Sequence, residues 1–83
     1  MRLRQQFIAK RVSCFYFYAE ERDEPAHVHV DKGGGTAKFW LDPLRLVWVD
    51  GLTLVEVRRA RQIAARERAK LLEAWHEFFE RKS

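Results

Sequence analysis

The chain has 83 residues, 47% of them hydrophobic and 34% charged, with a formal net charge of +4. That length suits one domain spanning 1–83, because splitting it would leave neither half a workable core, and the composition excludes a disordered chain. The lone cysteine, Cys14, rules out an internal disulfide and a thiolate metal cluster, and no stretch is apolar and long enough to span a bilayer or serve as a signal peptide.

Residues 1–10 are short and mixed. They read as an N-terminal arm, either frayed or forming a brief strand or turn of helix, that lets Phe7 and Ile8 touch the core. The sheet is expected over 12–49. Its first strand, Val12–Ala19, contains four consecutive aromatic residues and has high β propensity. Period two places Phe15 and Phe17 on one face and Tyr16 and Tyr18 on the other. Cys14 beside them is expected to be a buried, inert thiol. Glu20–Pro25 is polar, ends in proline and reads as a loop.

Ala26–Asp31 alternates, with Ala26, Val28 and Val30 on the core face and His27, His29 and Asp31 facing out or into a groove. Lys32–Gly35 is a glycine-rich turn suited to a tight hairpin. It lacks the spacing of a phosphate loop and leads into a strand, not a helix. Thr36–Asp42 pairs back, with Trp40 sharing the face of the histidines. After the Asp42–Pro43 turn, Leu44–Val49 reads as a short edge strand.

Thr53 begins the helix, with Glu56 completing a capping box and Leu52 placed as a hydrophobic staple against Val57. Val57, Ala60, Ala64, Leu71, Trp75 and Phe78 form its apolar stripe. Arg61 and Arg68 project into or beside that stripe. They mark snorkelling stems, a break near 65–67, or a face turned to a partner. The fold that follows is α+β: a three- or four-stranded antiparallel sheet, packed on one face by a long C-terminal amphipathic helix over 53–81, either continuous or bent near 65–67.

Two features carry chemistry. Arg58, Arg59, Arg66 and Lys70 form a basic patch on the helix, an electrostatic footprint suited to DNA or RNA phosphates. The alternative is an ordinary solvated face. Arg61 and Arg68 would then be candidates for a partner interface. His27 and His29 could act as acid–base catalysts or hold a metal. A zinc site needs a third ligand, for which Asp31, Glu20, Glu21, Asp23 and Glu24 are candidates. Since nothing in the sequence fixes one of these at ligand distance, no metal or other cofactor is assigned. The structural alternative has the imidazoles stacking on Tyr16, Tyr18 or Trp40 and capping loop carbonyls. His76 reads as a surface histidine.

The segments `FYFYAEERDEPAHVHV`, `GGGTAKFWLDP` and `LLEAWHEFF` together resemble the small bacterial family catalogued as domain of unknown function 4160. Pro25, His27 and His29 match its histidine segment, and Leu71, Leu72 and Trp75 match its helix-end motif. The resemblance covers Phe15 to about Phe79. It implies one member of a toxin–antitoxin-like pair with a cognate small protein as partner; with the basic helix as a nucleic-acid contact, the leading expectation is a small regulatory or interaction protein. Two alternatives stand beside it: a metal-independent ribonuclease using His27 and His29, and a metal-binding module. A cytoplasmic location and a homodimer are further expectations.

Overall fold

The structure is a computed structural model that describes residues 4–10 and 13–81, with side chains over 13–80. Five strands run in chain order: β1 (Arg4–Lys10), β2 (Ser13–Tyr18), β3 (His27–Lys32), β4 (Gly35–Leu41) and β5 (Leu44–Asp50). Each pairs antiparallel with the next, giving the sheet order 1-2-3-4-5. Helices α1 (Leu54–Arg66) and α2 (Arg68–Arg81) follow, and a single 3-10 turn, Ala19–Glu21, joins β2 to β3. The α+β class and the antiparallel sheet under C-terminal helices are as the periodicity predicts. The sheet gains a fifth strand because Arg4–Lys10 pairs along β2. Contact of Phe7 and Ile8 with the core lies outside the described side chains.

Alternation explains the core. Phe15, Val28, Val30, Ala37, Phe39 and Leu41 project from one face of the sheet and meet Ala60, Ala64 and Leu71. The two alanines let α1 approach closely. Burying one side chain such as Phe39 contributes about 1.5–3 kcal/mol. Val57 and Phe78, expected in the core, are only half-buried.

The helical stretch divides at Glu67. The backbone ladder nevertheless continues, as Glu67 donates to the Ile63 carbonyl and Leu71 to the Glu67 carbonyl, each at 2.9 Å. The expected bend near 65–67 is therefore a local one. Arg68 explains part of it. Its guanidinium donates to the Leu41 carbonyl and to the Asp42 carboxylate, so this cation is held against the β4–β5 turn. Thr53 and Glu56 form the capping box, with the Thr53 hydroxyl accepting from the Glu56 amide at 3.1 Å and the carboxylate accepting from the Thr53 amide at 2.9 Å.

Two glycines have distinct jobs. Gly33 turns the β3–β4 hairpin with φ +59°, a region most side chains avoid. Gly35 instead allows close approach, since a Cβ there would run into the Gly51 carbonyl oxygen. Among the described residues, no helix is long and apolar enough to cross a membrane.

Candidate functional site

Pairing between β2 and β3 runs from Ser13↔Lys32 to Tyr16↔His29 and then stops. Beyond that point β2 continues only with β1, through Phe17 and Tyr18. The strands splay, and the connecting chain folds into the gap. Tyr18 starts the 3-10 turn, and its backbone amide donates to Glu21 Oε1 at 2.8 Å. This contact swings the Glu21 carboxylate inward, over the ends of the histidine side chains.

The histidines are buried, contrary to the outward-facing expectation: His27 is 0% and His29 6% exposed, and Glu21 is 6%. The alternation itself was correct. What it could not show is that the face opposite the core acquires its own cover. Tyr16 stacks on His29 with centroids 5.3 Å apart, and Tyr18 meets the same ring edge-on. Trp40 packs edge-on against His27, and Trp75 reaches that ring from α2, its centroid 4.8 Å away. The predicted stacking on Tyr16, Tyr18 and Trp40 is therefore present together with a buried polar cluster.

Three groups converge there. Glu21 Oε2 lies 2.9 Å from His29 Nε2, and Glu21 Oε1 lies 3.0 Å from His27 Nε2. The three ligand-type atoms all fall within 4.8 Å of one another. The His27 Nδ1 nitrogen is 2.9 Å from the Pro25 carbonyl oxygen, so Nδ1–H donates to that oxygen. In a neutral ring this leaves the Nε2 lone pair pointing inward. Although Glu21 is near, Nε2 is buried with no aligned hydrogen-bond partner. A lone pair and a carboxylate oxygen at this separation repel unless a cation or proton lies between them.

The electrostatics fit an anionic Glu21 beside a neutral His29 ring. Burial pushes the Glu21 carboxyl up, but the Tyr18 amide, His29 and His27 outweigh it and leave the group below its ordinary value. Burial pulls His29 below the usual imidazole range, and Glu21 offsets only part of that. Just outside, Glu24 lies 3.8 Å from His27 Nδ1 and accepts from Lys38 Nζ at 2.6 Å.

Of the five acidic residues the sequence offered as a third ligand, the structure brings in Glu21. Asp31 instead accepts from the Tyr16 hydroxyl at 2.8 Å and from Thr36, which accompanies a raised Tyr16 hydroxyl pKa caused first by burial. Glu20 and Asp23 are exposed. Nothing in the sequence distinguishes Glu21 from these neighbours, because the choice depends on the single 3-10 turn. The helical contact to His27 through Trp75 likewise crosses most of the chain.

The basic residues are elsewhere. Arg58, Arg59, Arg61, Arg66 and Lys70 are exposed along α1 and the start of α2. Arg66 and Lys70 lie 3.6 and 3.8 Å from Glu67. His76 is exposed, as expected, and lies 3.8 Å from Glu80.

A family model described as a domain of unknown function, DUF4160, matches residues 14–76. The matched span takes in Glu21, both buried histidines and Trp75. Comparison with curated proteins and with solved structures gave no match.

Proposed function

The chain belongs to the DUF4160 family, and from that footing we propose that it is a metal-binding module. Its ion is a divalent transition metal of the zinc class, held by His27 Nε2, His29 Nε2 and the Glu21 carboxylate. The observation that carries this reading is the buried Nε2 of His27, directed at an anion while the other ring nitrogen donates to Pro25. A backbone carbonyl on the far nitrogen is the usual second partner of a metal-ligating histidine, because it fixes the tautomer and leaves the ligating lone pair inward. Two imidazoles and one carboxylate suit zinc and its neighbours, while magnesium and calcium favour all-oxygen sites. Tetrahedral ligands at about 2.0–2.1 Å from zinc stand roughly 3.4 Å apart, so small side-chain rotations would bring the three atoms to bonding distance. In the metal-free chain, His29 Nε2–H donates to Glu21; with an ion at Nε2 the ring would carry its one proton on Nδ1 instead.

Burial favours a structural ion. Metal bonds from Glu21 to His27 and His29 would tie the β2–β3 connection to β3, beneath Trp75 of α2. Cleavage of a phosphodiester by the two histidines needs rings that a polymer can reach, and rings this buried do not meet that need. A role for the α1 arginines toward DNA or RNA, or toward a cognate protein, would be additional to the metal reading.

Isothermal titration of the metal-stripped protein with zinc should show one tight site per chain, unaffected by excess magnesium. His27→Ala and His29→Ala should each remove it. Equal zinc binding by the native protein and both variants would overturn the proposal, as would no binding by native protein that is folded by circular dichroism.

A further inference from the structure

The edge of the sheet at β5 carries a second inference, which does not require the metal, although Trp48 of this strand packs against His29 with centroids 6.2 Å apart. Its exposed large side chains are consecutive: Leu46 36%, Val47 38%, Trp48 42% and Val49 43%. Leu54 and Val55 continue the apolar run at the start of α1, 79% and 50% exposed. Large apolar side chains left exposed along one strand edge in this way mark an interaction site. Charges, prolines and bulges are the usual devices that discourage edge pairing; β5 has a bulge, no proline, and charges only near its ends, Arg45 and Asp50.

A bulge decides which residues share a face. Lys38 pairs with Trp48 and Phe39 with Leu46, leaving Val47 as the extra residue of β5. In a regular strand Arg45 and Asp50 would point to opposite faces. Here they oppose Trp40 and Thr36, which lie on the same face of β4. Leu46 and Val49 likewise share the core face, opposite Phe39 and Ala37.

The geometry points to a homodimer in which β5 pairs antiparallel with β5 of a second copy, about a two-fold axis normal to the sheet between Val47 and Trp48. This register sets Arg45 opposite Asp50 of the second copy, and the symmetry repeats the pair at the other end. Leu46 meets Val49 of the second copy, on the matching face. Opposite charges directly across an antiparallel pair are stabilising and like charges destabilising. The strand is therefore complementary to itself in this one register. The closed two-fold also ends the assembly at two chains.

Sedimentation velocity over a concentration series tests this. The native chain should show a monomer–dimer equilibrium with nothing larger. Asp50→Arg and Arg45→Asp, both at exposed positions, should each weaken the dimer at least about tenfold. The double variant Arg45→Asp/Asp50→Arg should return affinity to within about threefold of native. A native chain that stays monomeric throughout would overturn the proposal. So would oligomers that grow past two, which point to pairing of β5 with the other sheet edge. A dimer indifferent to Asp50→Arg, or weakened by it and not recovered by the double variant, would overturn it equally.

Discussion

Zinc held free at about one hundred times its dissociation constant is expected to stabilise the folded chain by about 2.7 kcal/mol. For a domain of this size, roughly 4–8 °C per kcal/mol makes that a rise in melting temperature of roughly 10–20 °C. At a fixed multiple of the dissociation constant the size of the effect follows from mass action; what the site decides is how tight that constant is. Glu21, His27 and His29 are polar groups taken out of water, and the Nε2 of His27 lacks an aligned partner. An unsatisfied buried polar atom costs about 1–3 kcal/mol. Coordination would give His27 Nε2 the partner it lacks, and it would tie the β2–β3 connection, through Glu21, to β3. Differential scanning calorimetry with and without zinc measures the shift. Glu21→Gln keeps the side-chain shape but removes the anion, and should reduce the zinc shift to under about 2 °C at the same free zinc. A shift of equal size in Glu21→Gln would place the ion elsewhere.

Trp75→Ala is expected to cost about 3–5 kcal/mol, the range for deleting a large buried aromatic side chain. Its ring lies 4.9 Å from Phe17, 4.8 Å from His27 and 4.4 Å from Phe79, centroid to centroid. It is thus the piece that fastens α2 to the open end of the sheet and closes the cover over His27. Domains of this class are stable by only about 5–15 kcal/mol, so the variant should be close to unfolding. Trp75→Phe keeps part of the ring packing and should cost less. Urea denaturation of both variants gives the comparison. A loss under about 1 kcal/mol for Trp75→Ala, as at an ordinary surface position, would contradict this role.

How far the sequence could be read divides along physical lines. Period two in Val28/Val30 against His27/His29, and in Ala37/Phe39/Leu41 against Lys38/Trp40, gave the strands their faces. The capping box at Thr53 gave the helix its start, while Arg61 and Arg68 beside the apolar stripe left a break near 65–67 as one option among three. These signals are local, and local patterns survive in a sequence. The N-terminal strand did not announce itself, because Arg4–Lys10 has little alternation and gains its form by pairing with β2. Burial of the histidines was missed for a related reason. Alternation assigns a residue to a face, but it does not say what later covers that face. The cover comes from Tyr16 and Tyr18 one strand away, from Trp75 near the other end of the chain, and from Glu21. Glu21 is one of several acidic residues in a short loop, and its contacts with the Tyr18 amide and the two histidines select it. The β5 bulge is similarly invisible in `LRLVWVD`, where simple alternation separates Arg45 from Asp50.

X-ray absorption at the zinc edge, on protein loaded with one equivalent, tests the metal centre most directly. The expected spectrum has imidazole scattering from two histidines with Zn–N near about 2.0–2.1 Å, and one or two oxygens at about 2.0–2.2 Å. His27→Ala should lose one imidazole contribution. A shell of six oxygens, a sulfur contribution from Cys14, or a spectrum unchanged in His27→Ala would contradict a centre built on Glu21, His27 and His29.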